Sequence, residues 1–134
     1  MQGLHLTADL HDCACEAQWL LDAAALGTRC VQAVDRSGLL AVAQLCHTFP
    51  ASAQGPGGVT ATILLAESHL CVHTWPEQRA VTLDVYVCNF GGDHSAKAQA
   101  LLDELINLFQ PETVQKHRLQ RGTLKAASQT PAGC

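Results

Sequence analysis

The segment "LLAESHLCVHTWPE", residues 64–77, gathers Glu67, Ser68, His69 and His73 into one short span. A serine between an acid and an imidazole suggests three kinds of chemistry. A hydrolase would turn the hydroxyl on a foreign acyl group, but the Gly-x-Ser-x-Gly elbow and an oxyanion-loop signature are both missing from the sequence. A metal centre would draw on imidazoles and thiols. "HDCAC" supplies His11, Cys13 and Cys15, and "HLCVH" supplies His69, Cys71 and His73, each triplet alternating to one side of a strand. Neither triplet follows the CxxC or HxxxH spacing of zinc sites, so the expectation is no metal. The third chemistry turns the serine on its own chain. Where the backbone is strained, the hydroxyl attacks the carbonyl before it and forms an ester. β-Elimination splits the chain there, and the dehydroalanine left at the new end hydrolyses to a pyruvoyl group. Such a site needs a strained turn, a proton-transfer group and a holder for the oxyanion. His73, five residues on, and Thr60, on the preceding strand, are the groups expected to surround the bond at Ser68.

The rest of the chain must supply the frame for that bond. With 134 residues, 48% hydrophobic and 15% charged, it has the composition of one globular domain. Eight Lys and Arg spread along a chain of net charge -4 give no basic face, which argues against nucleic acid as a partner. The N-terminus "MQGLHLTADLHD" lacks a basic, then apolar, leader pattern, and no apolar run approaches a membrane span. A cytoplasmic location with no membrane partner is therefore expected. Seven cysteines, an odd number, disfavour a disulfide framework; most read as small buried hydrophobes, with a reactive thiol among them the alternative that spacing alone does not decide.

Periodicity places the elements. Leu4, Leu6, Ala8 and Leu10 share one face of a first strand, and Val81, Leu83, Val85 and Val87 one face of a fifth, with Thr82, Asp84 and Tyr86 opposite. Trp19, Leu20, Ala23 and Leu26 recur at helical spacing within residues 15–34, with Asp12 a candidate cap and Gly27 a candidate break or end. Strands are expected over 38–49, 59–67, 69–75 and 112–122, with a Pro/Gly-rich loop at 50–58 and a sharp break near Ser68. "SAKAQALLDELINLF" carries the stripe Ala98, Leu101, Leu102, Leu105 and Phe109. The order β-α-β-β-β-β-α-β predicts an α+β two-layer sandwich, a mainly antiparallel sheet with two helices on one face. The domain is expected over 1–122, with a frayed polar tail at 123–134.

The segments "GLHLTADLHDC", "CHTF", "GGVT", "AESHLCVHTWPE" and "LDVYVC" together resemble the prokaryotic S-adenosylmethionine decarboxylases, small pyruvoyl enzymes of spermidine synthesis. The resemblance runs from Gly3 to about Gly122, and the block E-S-H-x-x-x-H-T-W-P-E is its most specific part. It implies a proenzyme that cuts itself between Glu67 and Ser68 into a β chain, 1–67, and an α chain, 68–134. Ser68 would become the pyruvoyl cofactor, which forms a Schiff base with the substrate amine and acts as an electron sink. His73 matches the processing histidine, and Thr60 stands where the family usually has a processing serine. Cys88 matches the proton donor, Phe49 the aromatic that stacks on adenine, and Glu77 the carboxylate that holds the ribose hydroxyls. The implied assembly is a homodimer of cleaved protomers with sites at the interface, acting on a small-molecule substrate.

The sequence departs from the family pattern around the expected pocket. "GLHL" replaces G-R-H-L, the loop between Phe49 and Thr60 is longer, Gln78-Arg79-Ala80 replaces Tyr-Gly-Tyr, and "NFGG" follows Cys88. Two alternatives to the adenosyl substrate accordingly stand beside it: a pyruvoyl decarboxylase of ornithine or arginine on the same scaffold, and an uncut, non-catalytic regulatory relative.

Overall fold

The computed structural model describes residues 2–122. Six strands, β1 (Gly3–His11), β2 (Ala41–Thr48), β3 (Val59–Leu65), β4 (Ser68–Trp75), β5 (Ala80–Cys88) and β6 (Thr113–Arg121), form one sheet in the order β2-β3-β4-β5-β1-β6. Every neighbouring pair is antiparallel. Three helices, α1 (Gln18–Leu21), α2 (Ala23–Ser37) and α3 (Ser95–Phe109), lie along the chain between strands. The expected α+β sandwich is present.

The alternation read from β1 and β5 decides which face is covered. Leu4, Leu6, Ala8, Leu10, Val81, Leu83, Val85 and Val87 are all buried, as are Val59, Ala61, Ile63 and Leu65 of β3 and Leu70 and Val72 of β4. Against them pack Leu26, Cys30, Ala33 and Val34 of α2 and the whole expected stripe of α3. Each fully buried Leu or Val removes enough apolar area from water to favour folding by about 1.5–3 kcal/mol. The opposite face carries His5, Thr60, His69, Cys71, His73, Asp84 and Tyr86, and no helix of the described residues covers it.

Three local expectations need correction. The helix expected over 15–34 is two helices, broken at Asp22, whose extended backbone (φ -105, ψ 103) ends α1 and starts α2. Asp22, not Asp12, is the cap: Ala25 N–H donates to its Oδ1 at 3.0 Å. Gly27 neither breaks nor ends α2 but sits buried within it, where a Cβ would lie 2.7 Å from Cys46 Sγ, so glycine lets the helix lie close on β2. The true end is Gly38, in the left-handed region at φ 89. The polar tail expected at 123–134 and Cys134 lie outside the described residues.

Candidate active site

β3 and β4 are joined by two residues, Ala66 and Glu67, because Leu65 pairs directly with Ser68. Glu67 has φ 60. For a residue with a Cβ this left-handed conformation costs about 1–2 kcal/mol, so the backbone is strained at the residue whose carbonyl precedes Ser68. Ser68 is in turn held from the far side: Cys88 N–H donates to its Oγ at 3.1 Å. That bond leaves the hydroxyl proton free for a base. Cys88 ends β5 on the open face, is 3% exposed and pairs across the ladder with Gly3. Glu67, Ser68 and Cys88 therefore form one cluster.

Thr60 and His73 form another. They are cross-strand partners, and Thr60 Oγ1 lies 3.0 Å from His73 Nδ1. Five residues of extended strand separate His73 from Ser68, about 17 Å at 3.3 Å per residue. Within one chain, Thr60 and His73 do not surround the bond at Ser68. They instead line a pocket of about 390 Å³ together with Phe49, Gly58, Thr74, Trp75 and Glu77. Phe49 presents an aromatic face there at 48% exposure, with its N–H anchored on Gly58 O at 2.9 Å. The expected site residues thus fall into two groups at opposite ends of β4.

Periodicity did not single out several residues that build these two groups. Thr74 is buried and fully bonded: its Oγ1 donates to Leu20 O and accepts from Val59 N–H, both at 2.8 Å. It pins β4 to β3 and α1 behind the pocket. Trp75 supplies a second aromatic wall. Gly58 lets β3 enter, since a Cβ there would meet Thr74 O at 2.1 Å. On the open face, His5 Nε2 and His69 Nε2 lie 2.9 and 3.0 Å from the same Asp84 Oδ2. The signal for this group was the polar alternation of β1, β4 and β5.

The other described thiols behave as fillers. Burial pushes Cys13 up to about 11 and Cys30 up to about 12, and raises Cys15, Cys46 and Cys71. Of the two triplets weighed for metal, His69, Cys71 and His73 do share the open face of β4. The three-ligand grouping among the described residues is, however, His5, His69 and Asp84.

The family model for S-adenosylmethionine decarboxylase matches residues 4–122. The chain belongs to the S-adenosylmethionine decarboxylase family. Among its relatives, the S-adenosylmethionine decarboxylase proenzyme of Parasynechococcus marenigrum is 40% identical over 108 residues, 78% of this chain and 77% of that one. The proenzyme of Picrophilus torridus is 33% identical over 121 residues, covering 90% and 85%. The crystal structure of the adenosylmethionine decarboxylase of Aquifex aeolicus superposes with a TM-score of 0.76 at 31% identity, covering 96% of this chain and 97% of that one. No described helix is long and apolar enough to cross a membrane.

Proposed function

We propose that the chain cuts itself between Glu67 and Ser68 and then decarboxylates S-adenosylmethionine. The observation that carries the cut is the strained Glu67, at φ 60, followed directly by a serine whose Oγ is fixed by the Cys88 N–H. Ser68 Oγ bonds to the Glu67 carbonyl carbon as the peptide C–N bond breaks. The resulting ester eliminates Glu67 as a carboxylate, and water replaces ammonia at the dehydroalanine end. The pyruvoyl group so formed supplies a ketone that takes the substrate amine and draws off the electrons released with CO₂. Cys88, on the open face beside residue 68, delivers the proton that the substrate carbon then needs. Positioned general acids of this kind are worth about 10²–10⁴-fold.

The distant half-site gives the reading its second part. Phe49 and Trp75 offer flat faces to adenine, and Glu77 offers two acceptor oxygens to vicinal ribose hydroxyls. His73, paired to Thr60, is the base for the cut. Because about 17 Å of strand separates these groups from Ser68, the reading requires a second copy. Two chains stacked open face to open face about a two-fold axis put the His73 end of one over the Ser68 end of the other. Leu45 and Leu64, exposed at 77% and 47% on that face, would be covered in the process. The free thiols among the described residues suit a reducing compartment, the cytoplasm.

The deciding test runs purified chain on a denaturing gel and by mass spectrometry, beside Ser68→Ala. The expected result is two fragments split after residue 67 in the parent and a whole chain in the variant. A parent that stays whole, or a variant that is cut, overturns the reading. Release of CO₂ from S-adenosylmethionine, ornithine and arginine in parallel then tests the substrate. Turnover of either diamine precursor in preference to the sulfonium would overturn that assignment.

A further inference from the structure

Three adjacent strands meet in one polar cluster on the open face. His5 of β1, Tyr86 of β5 and His69 of β4 are lateral neighbours in the ladder. Asp84, two residues before Tyr86, accepts from both imidazoles through one oxygen, Oδ2, at 2.9 and 3.0 Å. The Tyr86 ring sits 5.7 Å from each imidazole, with the Arg121 guanidinium 5.0 Å above it.

Two imidazoles and a carboxylate are a donor set that a divalent metal can use, but a hydrogen bond fixes the protons otherwise. Arg121 Nη1 only donates, and it lies 3.3 Å from His5 Nδ1. His5 Nδ1 is therefore the acceptor, and its Nε2 carries the proton that points at Asp84. A ligating Nε2 would need its lone pair there. The geometry is that of a hydrogen-bonded clamp, with the carboxylate gripping two strands from a third.

The clamp grips a particular residue. His69 follows Ser68, so its amide nitrogen carries the residue that becomes the pyruvoyl group on the reading above, on which this inference rests. In the uncut chain, residue 68 is held covalently from both sides. After the cut it is a chain end, and chain ends fray unless tied down. The ties left are the ladder bonds and the His69–Asp84 contact. Asp84 also shares its strand and its face with Cys88, four residues on. We infer that Asp84, steadied by His5 and Arg121, is a positioning residue: by clamping His69 it holds the new end at residue 68 in register with the Cys88 thiol.

The test compares parent, Asp84→Asn and His5→Gln, each as the full chain. Asn keeps the shape of Asp but removes the charge from the one oxygen that accepts from both imidazoles, so both bonds weaken from charge-assisted to neutral. His5→Gln leaves the His69–Asp84 bond but loosens its support, and serves if Asp84→Asn does not fold. Three readouts are taken: the extent of cutting by mass spectrometry, amide hydrogen exchange at residues 69–71, and kcat separately from KM. The expected result is cutting that still goes to completion and exchange at 69–71 that rises at least about tenfold in the cut variant. The same substitution placed in the uncut Ser68→Ala chain should leave that exchange unchanged. In the cut variant kcat should fall about 10–100-fold, the scale of a misplacement near 1 Å, with KM within about threefold. A cut variant with parental exchange and parental kcat overturns the clamp alone. An equal rise in exchange in the uncut chain also overturns it, because the role would then be general support of the sheet. A parent that is never cut overturns the underlying reading, and the clamp with it.

Discussion

Arg79 occupies a backbone position that suits glycine. Its φ of 46 lies in the left-handed region, and the related pattern has glycine there. The strain is offset because the guanidinium donates to the carbonyls of Cys13 and Cys15, and Arg79 O accepts from Cys13 N–H at 2.9 Å. Read from sequence, Gln78-Arg79-Ala80 was a change beside the pocket with a bearing on substrate. The arginine instead spends its donors on the 12–17 loop. Thr60 is a similar case of one residue type filling in for another. Its hydroxyl reaches His73 Nδ1 at 3.0 Å despite the added methyl group, which restricts χ1. Thr60→Ser should therefore cut at least as fast as the parent. Thr60→Val, equal in shape but without the hydroxyl, should cut at least about tenfold more slowly. Timed gels of freshly made chain decide between them, and equal rates for Thr60→Val would remove Thr60 from the cut.

Elements carry the next set of consequences. The pocket wall depends on how closely β3 enters past β4, so Gly58→Ala, which sets a Cβ against Thr74 O, should displace Thr74 from its two bonds. The expected cost is about 2–4 kcal/mol, measurable as a lowered midpoint in urea, with loss of nucleoside binding. On the helical layer, Glu104 of α3 accepts from Arg29 and Arg36 of α2. The Arg36 bond, followed by that of Arg29, holds its carboxyl down to about 2. A depressed acid stabilises the fold above its unfolded value near 4.5 and loses that contribution as pH falls towards 2. After allowance for solvent screening, the parent should exceed Glu104→Gln by about 1–2 kcal/mol at pH 7 and by almost nothing at pH 2. Denaturant titrations at both values test it, and a pH-independent gap would refute it. Much of this layer was readable beforehand: the alternation of β1 and β5 and the stripe of α3 named the core. The break at Asp22 was not, because Leu20, Ala23 and Leu26 keep helical spacing across it while a single extended residue separates the helices. The spacing of the expected site residues was not legible. Ser68 and His73 are close in sequence, but on a strand five residues span about 17 Å.

At the scale of the molecule, the separation of the half-sites makes a sharp prediction. On the proposed reading, Ser68→Ala chains would lack the nucleophile and His73→Ala chains the base, so neither should be cut alone. Produced together, they would on that reading form mixed pairs in which one site has both groups, and the His73→Ala chain should then be cut. Absence of cutting in the mixture would place both groups in one chain. No periodicity announces the strand order either, since pairing between distant strands is settled by packing. That order has an effect on the life of the protein. A cut after residue 67 divides the sheet between two polypeptides: β1, β2 and β3 on one, β4, β5 and β6 on the other, with β1 wedged between β5 and β6. The pieces are interlaced and cannot part without tearing the sheet, so the cut protein should stay assembled at any dilution. Once denatured, however, its recovery becomes a meeting of two molecules, slower at low concentration and open to mispairing, whereas Ser68→Ala refolds as a single chain at a rate indifferent to concentration. Refolding yields at several concentrations distinguish the two. The proenzyme would be the only form built to fold, and each molecule would reach its working shape once.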